Sequence, residues 1–266
     1  MNSLVIDAES TVRIAVFIAA FALLAVLEIF IPRRPRSIPR RQRWFANLAL
    51  SVLNTLVVRF TLPLAGVAAA WFAQERGWGV GNWLPLPVWL NILGFLLLFD
   101  LTIYLQHRLF HWQPLLWRMH RTHHTDPEYD LTTGNRFHPG SILVSAVIKI
   151  TLVLCLGPVA AAVVIAEVLL NLSSMFNHSN IRIAPKLDEF LRRFIVTPDM
   201  HRIHHSVDGY EHSHNFGFNF SWWDRLFKTY LAQPQLGHTG MQIGIEGFSA
   251  DASTRLGDLL LQPLKR

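Results

Sequence analysis

Apolar residues gather along this chain in five long runs, roughly 12–31, 44–73, 88–106, 141–156 and 158–176. A straight membrane-crossing helix needs about 20 apolar residues, and the first three runs reach or approach that length. The last two are shorter and are separated by "LGP" at 156–158, where glycine and proline break helices. They predict a tight helical hairpin that either spans the bilayer or dips into it. The leader before the first run, "MNSLVIDAES", carries no positive charge and holds Asp7 and Glu9, and arginines follow the run. That arrangement predicts a retained transmembrane helix rather than a cleaved signal peptide.

Composition agrees with the runs. Half of the 266 residues are hydrophobic and only 16% are charged, against about 25% in a soluble domain. Six arginines fall in "RRPRSIPRRQR" at 33–43. Beside apolar segments such a block favours a topological or lipid-facing role over nucleic-acid binding, and short positive loops stay cytoplasmic. Counting spans from there, the inner ends of the third run and of the hairpin also fall on the cytoplasmic side. Arg59, Asp100, Lys149 and Glu167 lie inside the spans, where charges either pair with one another or face a functional cavity. Cys155, the single cysteine, is expected to be a buried, inert thiol.

The candidate chemistry lies in the histidines. Eight of the thirteen fall into three patterns: His107 and His111 in "HRLFH", His120, His123 and His124 in "HRTHH", and His201, His204 and His205 in "HRIHH". Spacings of i, i+3 and i+4 put each set on one helical stripe. Pro114 can open a helix carrying the second set, and Thr197 with Pro198 supplies an N-cap and first turn for the third. Arg121 and Thr122 fall off the stripe and are expected to face lipid headgroups or water. Each buried imidazole needs two partners, and neutral imidazole is the commonest metal ligand, so the stripes predict metal ligation. Eight exceed the needs of one site and suit two metals, whose identity imidazole does not choose.

Further histidines are candidates. His178, in "FNHSN", is expected as a ninth ligand, and His138 as a ligand or neighbour of the site. His214 is the better candidate of the "EHSHN" pair, and His238 reads as a surface residue. Asp100, Tyr104, His107 and His111 trace one stripe, so Asp100 is expected to accept a proton from an imidazole facing the metals or else to pair with Arg59.

The three boxes and their flanks, "LLWRMHRTHHTDPEYDLTTGNRFHP", "FNHSNI", "TPDMHRIHHS" and "NFGFNFSWWDRLFKTY", resemble the fatty acid hydroxylase superfamily of sterol desaturase-like membrane enzymes over roughly residues 90 to 231. The tone is nearest to the bacterial and alkylglycerol monooxygenase-like members. The resemblance implies two iron ions held by the eight box histidines with His178, dioxygen as oxidant, and hydroxylation or desaturation of a lipid. The lipid would be a fatty acyl chain, a sterol or an ether lipid taken from the leaflet. Electrons would come from a separate ferredoxin, cytochrome b5-like protein or reductase. Arg182 stands where some members carry a second histidine four residues after the position of His178, so either another histidine substitutes or one iron keeps an open position. Lys228 stands where a glycine is usual, which is expected to matter little.

These readings predict an all-α, multi-pass integral membrane helical bundle with a histidine-rich di-metal site on the cytoplasmic face. Residues 1–85 would hold the N-terminal transmembrane helices and basic loop, 86–235 the catalytic domain and 236–266 a C-terminal tail. The competing functions are a zinc-dependent membrane hydrolase, which would need a general base that no box contains, and a non-enzymatic metal-binding membrane protein.

Overall fold

Among the described residues, five helices long and apolar enough to cross a membrane carry the architecture. The structure, a computed structural model, describes residues 3–62 and 64–265 and has no strand among them. The long helices are α1 (Ser3–Phe30), α2 (Arg40–Thr61), α5 (Val88–Trp112), α7 (Pro139–Leu156) and α8 (Ala160–Asn177). Shorter helices α3 (Val67–Arg76), α4 (Val80–Trp83) and α6 (Pro114–His124) lie between them. After α8 come α9 (Pro185–Leu191), α10 (Pro198–His204), α11 (Gly209–His212), α12 (Trp222–Leu226), α13 (Gly237–Gly240) and α14 (Leu256–Leu261).

The second apolar run is not one helix. It breaks after Thr61 at "LPLAG", where Pro63 has no amide hydrogen to donate and Gly66 takes a positive φ of 65°. The hairpin turns at the expected place, with Gly157 left-handed at the C-cap of α7. The glycine-rich stretch before α5 packs tightly onto that turn: a Cβ on Gly79 would lie 2.2 Å from the Gly157 nitrogen. Cys155, expected to be buried, is exposed on α7, on the outside of the bundle.

Local capping explains the short helices. Gln113 accepts from the Leu116 amide at 2.9 Å and Pro114 fills the first turn of α6. Thr197 accepts from the Met200 amide at 3.3 Å to open α10. Both satisfy amides that a helix start leaves unpaired.

The C-terminal ends of α1, α5 and α8 meet the N-terminal ends of α2 and α7 on one side of the bundle, and the arginine block ties that side together. Arg36 and Arg40 pair with Glu28 near the end of α1. Glu28 in turn accepts from the amides of Leu131 and Asn180 at 2.8 and 2.9 Å. Arg33 pairs with Asp199 at 2.9 Å. Arg43, wholly buried, makes a two-pronged contact to Asp126 at 2.7 and 2.6 Å and reaches Asp130 at 2.7 Å. Burial alone would raise the pKa of Asp126, but Arg43 and Arg136 more than reverse this and hold it at about 2. The block is thus largely spent on internal contacts; Arg41 is exposed.

The last thirty residues are built into this side. Leu259 packs, fully buried, against Ala46 and Leu50 of α2, and the Gln262 amide donates to the Thr125 hydroxyl at 2.8 Å. Arg121 donates to the carbonyls of Gln262 and Lys265, and Thr122 is fully buried with its carbonyl accepting from Arg136 at 2.8 Å. Thr122 thus faces neither headgroups nor water, while Arg121, half-buried, turns its guanidinium toward the returning C-terminal segment. Breaking a buried ion pair by removing one partner costs about 3–5 kcal/mol. Arg43→Met, which leaves Asp126 and Asp130 buried without their cation, is therefore expected to lower the thermal unfolding midpoint of the detergent-solubilised protein sharply. An unchanged midpoint would remove this network from the list of what stabilises the fold.

Candidate metal centre

Five segments deliver imidazoles to one buried site: the end of α5, α6, the C-cap of α8, α10 and the turn after it. The nitrogens fall into two groups. His107, His111, His120 and His124 form one, and His123, His178, His201 and His205 the other, with ligand atoms within 4.8 Å of one another in each. His204 joins the first group through its Nε2, 3.0 Å from that of His107. Within the groups the Nε2 atoms approach closely. His111 to His124 is 3.1 Å and His124 to His120 is 3.2 Å. His178 lies 3.1, 3.1 and 3.2 Å from His123, His201 and His205.

Proton accounting decides what these contacts are. His107 Nδ1 donates to the Phe216 carbonyl at 2.9 Å, and His204 Nδ1 to the His214 carbonyl at 2.8 Å. A carbonyl only accepts, so in the neutral ring the proton is on Nδ1 and Nε2 is a bare lone pair. The two Nε2 atoms facing each other at 3.0 Å then have no proton between them. His178 repeats the pattern: Nδ1 donates to the Ser174 carbonyl at 2.7 Å, and its bare Nε2 faces three others. Protonating the rings is no remedy. Burial holds the pKa of His178 at about 4 and those of His201, His204 and His205 well below the usual imidazole value.

A cation between the nitrogens resolves the conflict. Two nitrogens bound to one ion at the ~2.0–2.1 Å of zinc–imidazole bonds lie roughly 2.9 Å apart at a right angle and 3.3 Å at the tetrahedral angle. The observed spacings of 3.0 to 3.2 Å fall in that interval. Ring nitrogens turned away from a metal characteristically donate to carbonyls, as three do here. The residues present therefore fit metal ions, one for each group.

The other sequence candidates lie elsewhere. His138 caps α7, with Nδ1 accepting from the Gly140 amide at 3.0 Å and Nε2 donating to the Leu260 carbonyl at 3.2 Å; both nitrogens are used, which leaves none for a metal. His214 turns outward and donates to the Tyr210 carbonyl at 2.7 Å. It is His212 that comes to the first group, its ring 4.7 Å from those of His111 and His124, because one turn of α11 points the two side chains apart. Arg182 is exposed. His238 is buried rather than superficial, 3.6 Å from Asp199.

Asp100 takes no proton from an imidazole and does not pair with Arg59. It accepts from the Asn219 amide and side chain at 3.0 and 2.8 Å, the Phe220 amide at 3.0 Å and the Trp223 indole at 2.9 Å. Sequence spacing placed it on the histidine stripe but could not reveal that residues 219–223 fold back to satisfy it. Asp224 accepts from the amides of Phe216 and Gly217, both at 2.8 Å, and so fixes the carbonyl that orients His107. Tyr104 bonds Thr229 at 2.8 Å. Lys228 sits at φ 59°, a left-handed conformation that favours glycine, so the residue does strain the backbone locally.

A cavity of about 500 Å³ opens onto both groups, lined near the histidines by His107, His120, His123, His201, Phe110 and Phe137. It runs between α2, α5, α7 and α8 to Arg13, Arg59, Lys149 and Glu167.

Comparison with known proteins adds relatives to this geometry. A sequence model of a family described as fatty acid hydroxylase matches residues 92–229. The chain is similar to an ornithine lipid hydroxylase of Rhizobium tropici, 26% identical over 243 residues that cover 87% of this chain and 70% of that protein. It is also similar to alkylglycerol monooxygenase of Xenopus tropicalis (28% identical, 57% of this chain and 32% of that one) and of Homo sapiens (29% identical, 50% and 29%). The chain thus spans about a third of the length of these monooxygenases. No solved structure matches.

Because the groups are separate, His120→Ala and His178→Ala are expected to lose metal independently. Elemental analysis should find each single variant partly loaded and the double variant empty; full loading of the double variant would exclude these rings as ligands.

Proposed function

This chain belongs to the fatty acid hydroxylase family, and from that premise we propose that it is an integral membrane oxygenase that uses two iron ions to insert oxygen into a lipid C–H bond. The observation that carries the reading is the facing pair of bare Nε2 lone pairs of His107 and His204, together with the three-way convergence on His178. His107, His111, His120, His124 and His204 would hold one ion, and His123, His178, His201 and His205 the other. Iron, when bound there, supplies reductive activation of dioxygen toward a C–H bond.

The protein's own part is positioning. The carbonyls of Phe216, His214 and Ser174 keep each ring in the tautomer that presents its Nε2. Phe110 and Phe137 shape the wall where a substrate carbon would lie beside both groups. The site is buried, so substrate reaches it through the cavity between the spanning helices rather than from bulk water. Overall, dioxygen, two electrons and two protons convert R–H to R–OH and water. The electrons come from a separate donor such as a ferredoxin or a cytochrome b5-like protein. Residues 86–235 form the catalytic unit, with 1–85 as its membrane partner and 236–266 as its cover. The site faces the cytoplasm, a reading supported by exposed Arg41, Arg182, Lys186 and Arg193 on the histidine side. The lipid hydroxylase and monooxygenase relatives support the same chemistry.

Comparative lipid mass spectrometry under isotopically labelled dioxygen tests this. Membranes with the active protein should contain a lipid heavier by one labelled oxygen. His123→Ala and His204→Ala should abolish the product and reduce bound iron. Zinc as the sole bound metal, with hydrolysis and no oxygen uptake, would overturn the reading.

A further inference from the structure

The cavity holds a charge imbalance far from the histidines. Four ionisable side chains line its distal part: Arg13, Arg59, Lys149 and Glu167. Glu167 pairs with Arg13, so that anion is taken. Lys149 has neither a hydrogen bond nor an ion pair among the described residues. Arg59 is partly solvent-exposed near the end of α2, where a long side chain can reach toward headgroups. On its other side Lys149 borders a narrow apolar slot of about 80 Å³ whose walls include Phe99, Ile150 and Val163. Glu167 also lines that slot, but its carboxylate is the one already paired with Arg13. A cation inside a spanning helix is costly and marks a functional path by default.

The spacing along two helices places this cation relative to the site. Ser141, Ser145 and Lys149 line the cavity from α7 at intervals of four residues, and at 1.5 Å per residue Lys149 stands about 12 Å from Ser141. On α8, Glu167, Asn171 and Ser174 line the same wall. Ser174 holds His178, so Glu167 lies about 10 Å from the histidine level. Between the ends the lining mixes Asn54, Thr55, Gln106 and Ser145 with Val58, Ile103 and Ile142, and the Gln106 side-chain oxygen is buried without a partner.

We propose that Lys149, with Arg59 at the distal part of the cavity, binds the carboxylate of an acyl lipid, so that the carbon brought to the imidazole groups lies several bonds from that carboxylate. The proposal rests on the oxygenase reading for what happens at the histidines, but the binding step stands apart from it. Lys149 is a positioning residue: it supplies a cavity cation with no hydrogen bond or ion pair among the described residues, about two helical turns along α7 from Ser141.

Binding of palmitate and of methyl palmitate to the purified, iron-loaded full chain in neutral detergent, without reductant, is the test. Wild type should bind the acid about tenfold or more tightly than the ester, as one charge-assisted contact provides. Lys149→Met should abolish that preference and leave ester binding and iron content unchanged; Lys149→Arg should retain the preference. Equal binding of acid and ester, or an unchanged preference in Lys149→Met, overturns the proposal. With reductant and dioxygen supplied, oxidation next to the carboxylate, or equal turnover of ester and acid, also overturns it and leaves the oxygenase reading intact. Lys149-dependent binding with no oxidised product upholds the binding site and counts against the oxygenase reading instead.

Discussion

Two imidazole nitrogens, each stripped of its proton by a carbonyl on the far side of its ring, face each other at 3.0 Å in the interior of this protein. Much else in the structure maintains that situation. The Phe216 carbonyl is held by Asp224, which grips the amides of Phe216 and Gly217. The segment that follows is held by Asp100, through Asn219, Phe220 and Trp223. Asn215, in a left-handed turn that asparagine tolerates, ties the same loop to the carbonyls of Met200 and Leu231. The tautomer of one ring thus depends on carboxylates that touch no histidine.

Around this site sits a layer of buried charge. Arg43, Asp126, Asp130 and Arg136 lie behind the second histidine set, and Arg33, Asp199 and Arg202 lie behind the third. Pairs of this kind add little net stability over apolar packing, yet removing one partner is expensive. Their geometric effect is to join α1 and α2 to the turns that carry the ligands. The C-terminal segment completes the layer through Gln262 and the Ser253 carbonyl, which accepts from Arg136.

Much of this was legible in the sequence, and the limits have physical causes. Apolar runs announced the long helices because hydrocarbon demands uninterrupted apolar length, and the run that misled, 44–73, contains Pro63 and Gly66 as visible breaks. The histidine sets were legible as sets because i, i+3 and i+4 spacing is local, although the second divides between the two groups, His120 and His124 in one and His123 in the other. Partners separated by a hundred residues did not. Nothing near Asp100 in sequence indicates Trp223, and nothing near Arg43 indicates Asp126. His138 and His214 looked like ligands by composition and neighbourhood, but a cap and an outward turn depend on the direction in which a single helical turn begins. His212 was passed over for the same reason.

The order in which these charges appear during synthesis differs from the order in which they pair. Arg43 meets Asp126 across 83 residues and Arg33 meets Asp199 across 166. When the first two helices have been made, the carboxylates that these arginines pair with have not yet been synthesised. Only after the later segments emerge does each arginine exchange lipid and water for a carboxylate. One short loop therefore clasps the first two helices to turns that are made much later in synthesis. The ligand-bearing turns are thus completed against helices that the chain has already made.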